Sequence, residues 1–173
     1  FFNDTATTEI CPLSLHDALP TPLDSRPATH RKLLACDPAK PKVEQTREVL
    51  ERFVSRAYRR PATKDEVDRL VKFVAQSEAG GAKWEAAVQL AMQAVLVSPK
   101  FLFRLELDDR PDRAEPHPID EFQLASRLSY FLWSSMPDEE LFDLARKNQL
   151  TANLDAQVRR MLKDPRSKAL VDN

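Results

Sequence analysis

Tyr58 sits among Arg56, Arg59 and Arg60, an aromatic ring inside a cluster of guanidinium groups. Such a cluster can hold an anionic partner or a polysaccharide phosphate through bidentate hydrogen bonds. The same residues fall at the end of a predicted helix. There, cations favour the negative dipole end and arginine stems cover apolar surface. The structural role is the stronger expectation.

Arg127 lies inside an otherwise apolar helical stretch. Its guanidinium keeps its charge, so it needs a partner or a route to water. Asp138, Glu139 and Glu140 are the nearest carboxylates after it in the chain. Arg127 is therefore expected to pin its helix to the start of the next one, or to another carboxylate in the modules. The acidic triplet itself suggests paired-carboxylate catalysis only weakly. Adjacent side chains on a helix point different ways, and acidic groups in a first turn answer the helix dipole. Trp84, Phe101, Phe103, Tyr130, Phe131 and Trp133 are candidates for a ligand-facing or electron-relay cluster. Aromatics at helical spacing more often build core. His117, between two prolines, has no companion to complete a metal site.

Several functions are excluded outright. Gly80 and Gly81 are the only glycines, so no phosphate-cradling loop or dinucleotide fingerprint can be written. The net charge of −1 gives no bulk attraction to nucleic acid. Cys11 and Cys36 form no Cys-x-x-Cys-His, and the remaining histidines, His16 and His30, add no local zinc motif. The sequence assigns no catalytic, cofactor-binding or metal-ligating residue, and no apolar run approaches a membrane span.

The elements that must position these residues are all helices. Val49, Leu50, Phe53, Val54, Ala57 and Tyr58 recur at three- and four-residue steps and predict a helix over 43–59, ended by Pro61. Thr63 and Glu66 form a capping box for the next helix, which buries Val67, Leu70, Val71 and Val74 and stops at Gly80-Gly81. A third helix over 83–97 is apolar nearly all round and should be central in its bundle. Residues 108–118 are charged, proline-broken and linker-like. A helix over 120–133 carries Leu124, Leu128, Phe131 and Leu132 on one face. Ser135 to Asp138 opens a further helix, with Ser as a possible cap. The last predicted helix follows Asn153 and buries Leu154, Val158, Met161 and Leu162. Prolines across 21–42 predict an irregular, extended lead-in, with a possible short strand at 32–36.

Two resemblances follow. Asn3 to Pro20 resembles the translation of a sequencing adapter, NDTATTEIYTLSLHDALPI, departing within that span at Cys11-Pro12. Residues 1–20 are therefore expected to be artefact, which removes Cys11 and His16 from consideration. Phe1 in place of Met, and a helical pattern still running at Ala169 to Val171, lead to the expectation of a fragment truncated in its second module.

The strings RAYRRPATKDEVDRL, AVQLAMQAVLVSPKFLFRLEL and LASRLSYFLWSSMPDEELFDLA resemble planctomycete-type multidomain cytochrome c-like proteins, from about Lys32 onward. Those proteins carry two consecutive helical modules of unknown function. The resemblance implies an extracytoplasmic protein whose covalent haem c sits in other domains, with neighbouring domains of the same chain as partners. A haem propionate in a neighbouring domain is then the alternative partner for Arg127, a weaker expectation than an internal carboxylate. Family members often carry a cysteine near Cys36 and another early in the following helix; the matching position here is Gln45.

The expected fold is all-α: two small helical modules, 43–107 and 119–173, joined by the linker. The expected function is a non-catalytic structural or interaction module. The alternatives are part of an oxidoreductase acting on a sugar or other envelope substrate, and a carbohydrate-binding unit. Tyr58, Arg59, Arg60, Arg127 and Trp133 are the residues singled out for a structural or interface role.

Overall fold

A computed structural model describes residues 28–104, 106 and 118–172, apart from the side chains of Thr29 and His30. The adapter-like stretch, with Cys11 and His16, lies outside the described residues. So do His117 and nearly all of the linker. The chain divides into a short unit ending at Ala35 and a larger one from Cys36. Among the described residues there is no strand, and the fold is all-α.

The short unit holds helix α1, Ala28–Leu33. The extended lead-in with a strand at 32–36 is therefore corrected. Between Pro27 and Pro38 no proline interrupts the chain, and alanine, arginine, lysine and leucine are good helix formers.

The larger unit begins its helices with α2, Lys42–Ala57, then α3, Lys64–Ala79, α4, Trp84–Leu96, and the single turn α5, Pro99–Leu102. Helices α2, α3 and α4 pack pairwise against one another. Val49, Leu50 and Val54 of α2, Val67, Val71 and Val74 of α3, and Ala87, Val88, Ala91, Met92 and Val95 of α4 are all buried. The capping box forms as the sequence predicts: the Thr63 hydroxyl accepts from the Glu66 amide, and Glu66 accepts from the Thr63 amide. Gly81, at φ +94°, takes the left-handed turn that ends α3.

Helix α4 is less enclosed than its composition suggests. Val97 just beyond it is 71% exposed, and Leu90 and Leu96 also face water. With α2 and α3 covering one face, the other face stays open.

The second module contains α6, Glu121–Trp133, α7, Glu139–Arg146, α8, Leu154–Lys163, and the final turn α9, Ala169–Asp172. Its core is Ala125, Leu132, Trp133, Leu141, Ala145, Leu150 and Met161. The stripe of α6 is shifted from the expected one. Ala125, Ser129, Leu132 and Trp133 point inward, while Phe131 is 68% exposed. Trp133 is the larger anchor, and its indole N–H reaches the Met161 carbonyl at 3.0 Å. Ser129 can be buried because its hydroxyl donates to the Ser126 carbonyl.

Two further expectations are corrected. Asp138, not Ser135, caps α7 by accepting from the Leu141 amide. On α8 Leu162 is half-exposed, and Gln157 is buried in its stead with its amide donating to Glu140. No helix among the described residues is long and apolar enough to cross a membrane.

Candidate functional site

Helix α2 ends in an unusual way. The Arg60 amide donates to the Ser55 carbonyl, and Arg59 stands in the left-handed region at φ 59°. That position normally takes glycine. The guanidinium of Arg59 supplies the compensation. It is 7% exposed and donates to the carbonyls of Lys100 at 3.0 Å and Phe103 at 2.9 Å. Longer bonds reach Ala57 and Phe101. Arg59 thus ties the end of α2 to the α5 turn by main-chain contacts alone, which need no particular sequence in α5.

Arg60 does something different. Its two terminal nitrogens donate to the two oxygens of Glu66, at 2.7 and 3.0 Å. Lys100 donates to the same carboxylate at 2.6 Å. Burial alone would push the Glu66 carboxyl up. The hydrogen bonds from Arg60, Lys100 and the Thr63 amide instead hold it far below the usual carboxylate range. Arg60 and Lys100 also stand 5.7 and 5.8 Å from the centre of the Tyr58 ring, within cation–π range. The sequence marks Glu66 only as a helix cap. Arg60 near it in the chain is a clue to the pair, but Lys100 comes from a distant turn and leaves no local signal.

Arg127 does not meet the acidic turn at the start of α7. Its partner is Glu106, the last described residue before the linker. The Arg127 Nε donates to Glu106 at 2.6 Å, and a terminal nitrogen donates to the other oxygen. Both side chains are substantially exposed. The chain brings Glu106 back to α6, whereas Asp138 is occupied by Arg160 at 2.7 Å. Arg127 holds the Glu106 carboxyl below its ordinary range through that hydrogen bond.

A second ion pair crosses between the modules, from Arg56 at the end of α2 to Glu139 at the start of α7. Arg56 also stands 5.8 Å from the Phe142 ring, and Arg104 stands 4.7 Å from the Tyr130 ring. Between these contacts opens a cleft of about 790 Å³. Tyr58, Arg60, Lys100 and Arg104 line one wall, and Asp120, Phe122 and Arg127 line the other.

The six aromatics do not come together as one cluster. Trp84 donates its indole N–H to the buried Thr46 hydroxyl in the first module. Trp133 belongs to the second core, with Arg166 stacked 3.5 Å from its ring centre. Phe101 packs beside Val54 and Val95, and Phe103 is exposed. Cys36 is a free thiol whose sulfur lies 3.7 Å from the Gln45 side-chain oxygen. Among the described residues no group of three or more His, Cys, Asp or Glu side chains is placed to hold a metal. The sequence holds no Cys-x-x-Cys-His string.

Residues 45–106 match the family described as PSD5, a protein of unknown function (DUF1595). Residues 119–173 match the family described as PSD4, a protein of unknown function (DUF1592). No curated protein and no solved structure matches the chain.

Proposed function

We propose that this tandem of a PSD5 (DUF1595) domain and a PSD4 (DUF1592) domain is a non-catalytic structural or interaction module of a larger haem-associated, extracytoplasmic protein. One observation supports this above all. The charged side chains that looked capable of chemistry are engaged in holding the chain together. Arg59 binds main-chain carbonyls, Arg60 and Lys100 share Glu66, and Arg56 and Arg127 bridge the modules. Each module has an apolar cluster of its own, and the described bridges between them are exposed ion pairs and cation–ring contacts. Exposed pairs are individually weak. Such a joint sets an orientation that neighbouring domains can adjust.

The partners in this proposal are neighbouring domains of the same longer chain, and covalent haem is carried by those domains. The test is deletion of residues 42–172 from the natural full-length protein. Covalent haem per molecule should stay unchanged while the flanking domains lose their fixed spacing, measured by small-angle scattering. Loss of haem on deletion, or unchanged spacing, would contradict the proposal.

A further inference from the structure

We infer that the cleft between the two modules binds a small organic anion carrying more than one oxyanion group. Its volume of about 790 Å³ falls in the range of small-molecule sites, roughly 300–1,000 Å³. Five cations, Arg59, Arg60, Lys100, Arg104 and Arg127, line it against two carboxylates, Glu106 and Asp120. Glu66 sits beneath Arg60 and Lys100, almost fully buried, and fixes both beside the Tyr58 ring. Preorganised donors lose less freedom when a ligand arrives. Phe122 on the facing wall adds apolar surface for a carbon skeleton.

The internal carboxylates do not exhaust these donors. A guanidinium has five N–H groups and an ammonium has three. Glu106 engages two nitrogens of Arg127, and Glu66 takes a single hydrogen bond from Lys100. Glu106 therefore acts as a resident competitor, an anion of the chain itself on the cationic wall. Forked recognition of this kind suits carboxylates and phosphates alike. All the groups that line the cleft belong to this chain.

The experiment titrates the 173-residue chain with citrate, with inorganic pyrophosphate and with sodium chloride at matched ionic strength, followed by calorimetry and by NMR. Citrate or pyrophosphate should bind with shifts centred on Tyr58, Lys100 and Phe122, and chloride should not reproduce them. The tighter anion identifies the oxyanion class. Arg104→Gln and Arg127→Gln should each weaken binding about tenfold, as expected for loss of a charge-assisted hydrogen bond. Both side chains are exposed, so the fold should survive, checked by near-UV circular dichroism. Glu106→Gln should tighten binding, which a merely structural role for that residue would not do. Arg159→Gln, on the exposed face of α8, should change nothing. Shifts reproduced by chloride, no binding of either anion, or equal affinities across all variants would overturn the inference.

Discussion

The Glu66 carboxylate grips the Arg60 guanidinium through both of its oxygens, at 2.7 and 3.0 Å. The same carboxylate caps α3 and anchors Lys100 from the α5 turn. One side chain therefore joins a helix start, a helix end and a distant turn.

Glu66→Gln should cost roughly 1–3 kcal/mol, because two cations and an amide lose a charged acceptor. The effect should depend on pH. The folded carboxyl ionises at lower pH than the unfolded one. Its stabilisation is complete above the unfolded value, about pH 4.3, and fades as pH falls towards the folded value. Urea unfolding from neutral pH downward should show the wild type and Glu66→Gln converging in acid. A constant gap across the range would show that Glu66 acts through packing alone.

Arg59 separates backbone strain from side-chain contacts. The left-handed conformation costs roughly 1–2 kcal/mol for a residue with a Cβ. Both Arg59→Gly and Arg59→Ala lose the bonds to the carbonyls of Lys100 and Phe103. Only glycine relieves the strain. Arg59→Ala should therefore be the less stable of the two by about 1 kcal/mol, read from denaturant midpoints. Equal stabilities would show that the φ of 59° carries no cost.

Much of this was legible in the sequence, and the limits have physical reasons. Helical periodicity located α2, α3, α4 and α6, and the Thr63-to-Glu66 spacing located a real capping box. What failed was phase and partnership. Phe131 and Trp133 compete for the inner face of α6, and the winner is set by the Met161 carbonyl on α8, which no local pattern reveals. Arg127 meets the second of the two partners the sequence allows, a carboxylate elsewhere in the modules, and Glu106 itself carries no local signal because chain reversal is not visible in the sequence. Arg59 looked like a surface cation at a helix end. Its burial depends on carbonyls of α5, which carry no residue signature. Glu121 was missed for a similar reason: it accepts from the amides of Leu150 and Thr151, far along the chain.

Gln45→Cys should create a disulfide with Cys36. The Cys36 sulfur already lies 3.7 Å from the Gln45 side chain, and the closed loop is short. Chain-entropy reasoning gives a gain of roughly 2–3 kcal/mol for such a loop. Intact-mass measurement should show the loss of two hydrogens on oxidation, and the melting temperature should rise without reductant. A variant that stays reduced, or melts at the same temperature oxidised, would show that the two side chains meet without disulfide geometry.

The joint between the modules should respond to salt while their cores do not. Arg56→Gln combined with Arg127→Gln removes the two ion pairs that join the modules among the described residues. Fluorescence energy transfer between dyes on the two modules should broaden in the double variant. In the wild type it should broaden as salt approaches about 1 M, where the screening length falls to roughly 3 Å. Circular dichroism should show full helicity throughout. An unchanged distance distribution would mean that other contacts fix the joint.

Cross-linking mass spectrometry on the natural full-length protein tests the central claim most directly. Lys72, Lys83, Lys147 and Lys163 are spread over both modules and offer amines to a lysine-reactive reagent. If the tandem is an interaction module, they should cross-link reproducibly to fixed positions in neighbouring domains, and those links should vanish in denaturant. Cross-links confined to the tandem itself, with none reaching another domain, would contradict the account.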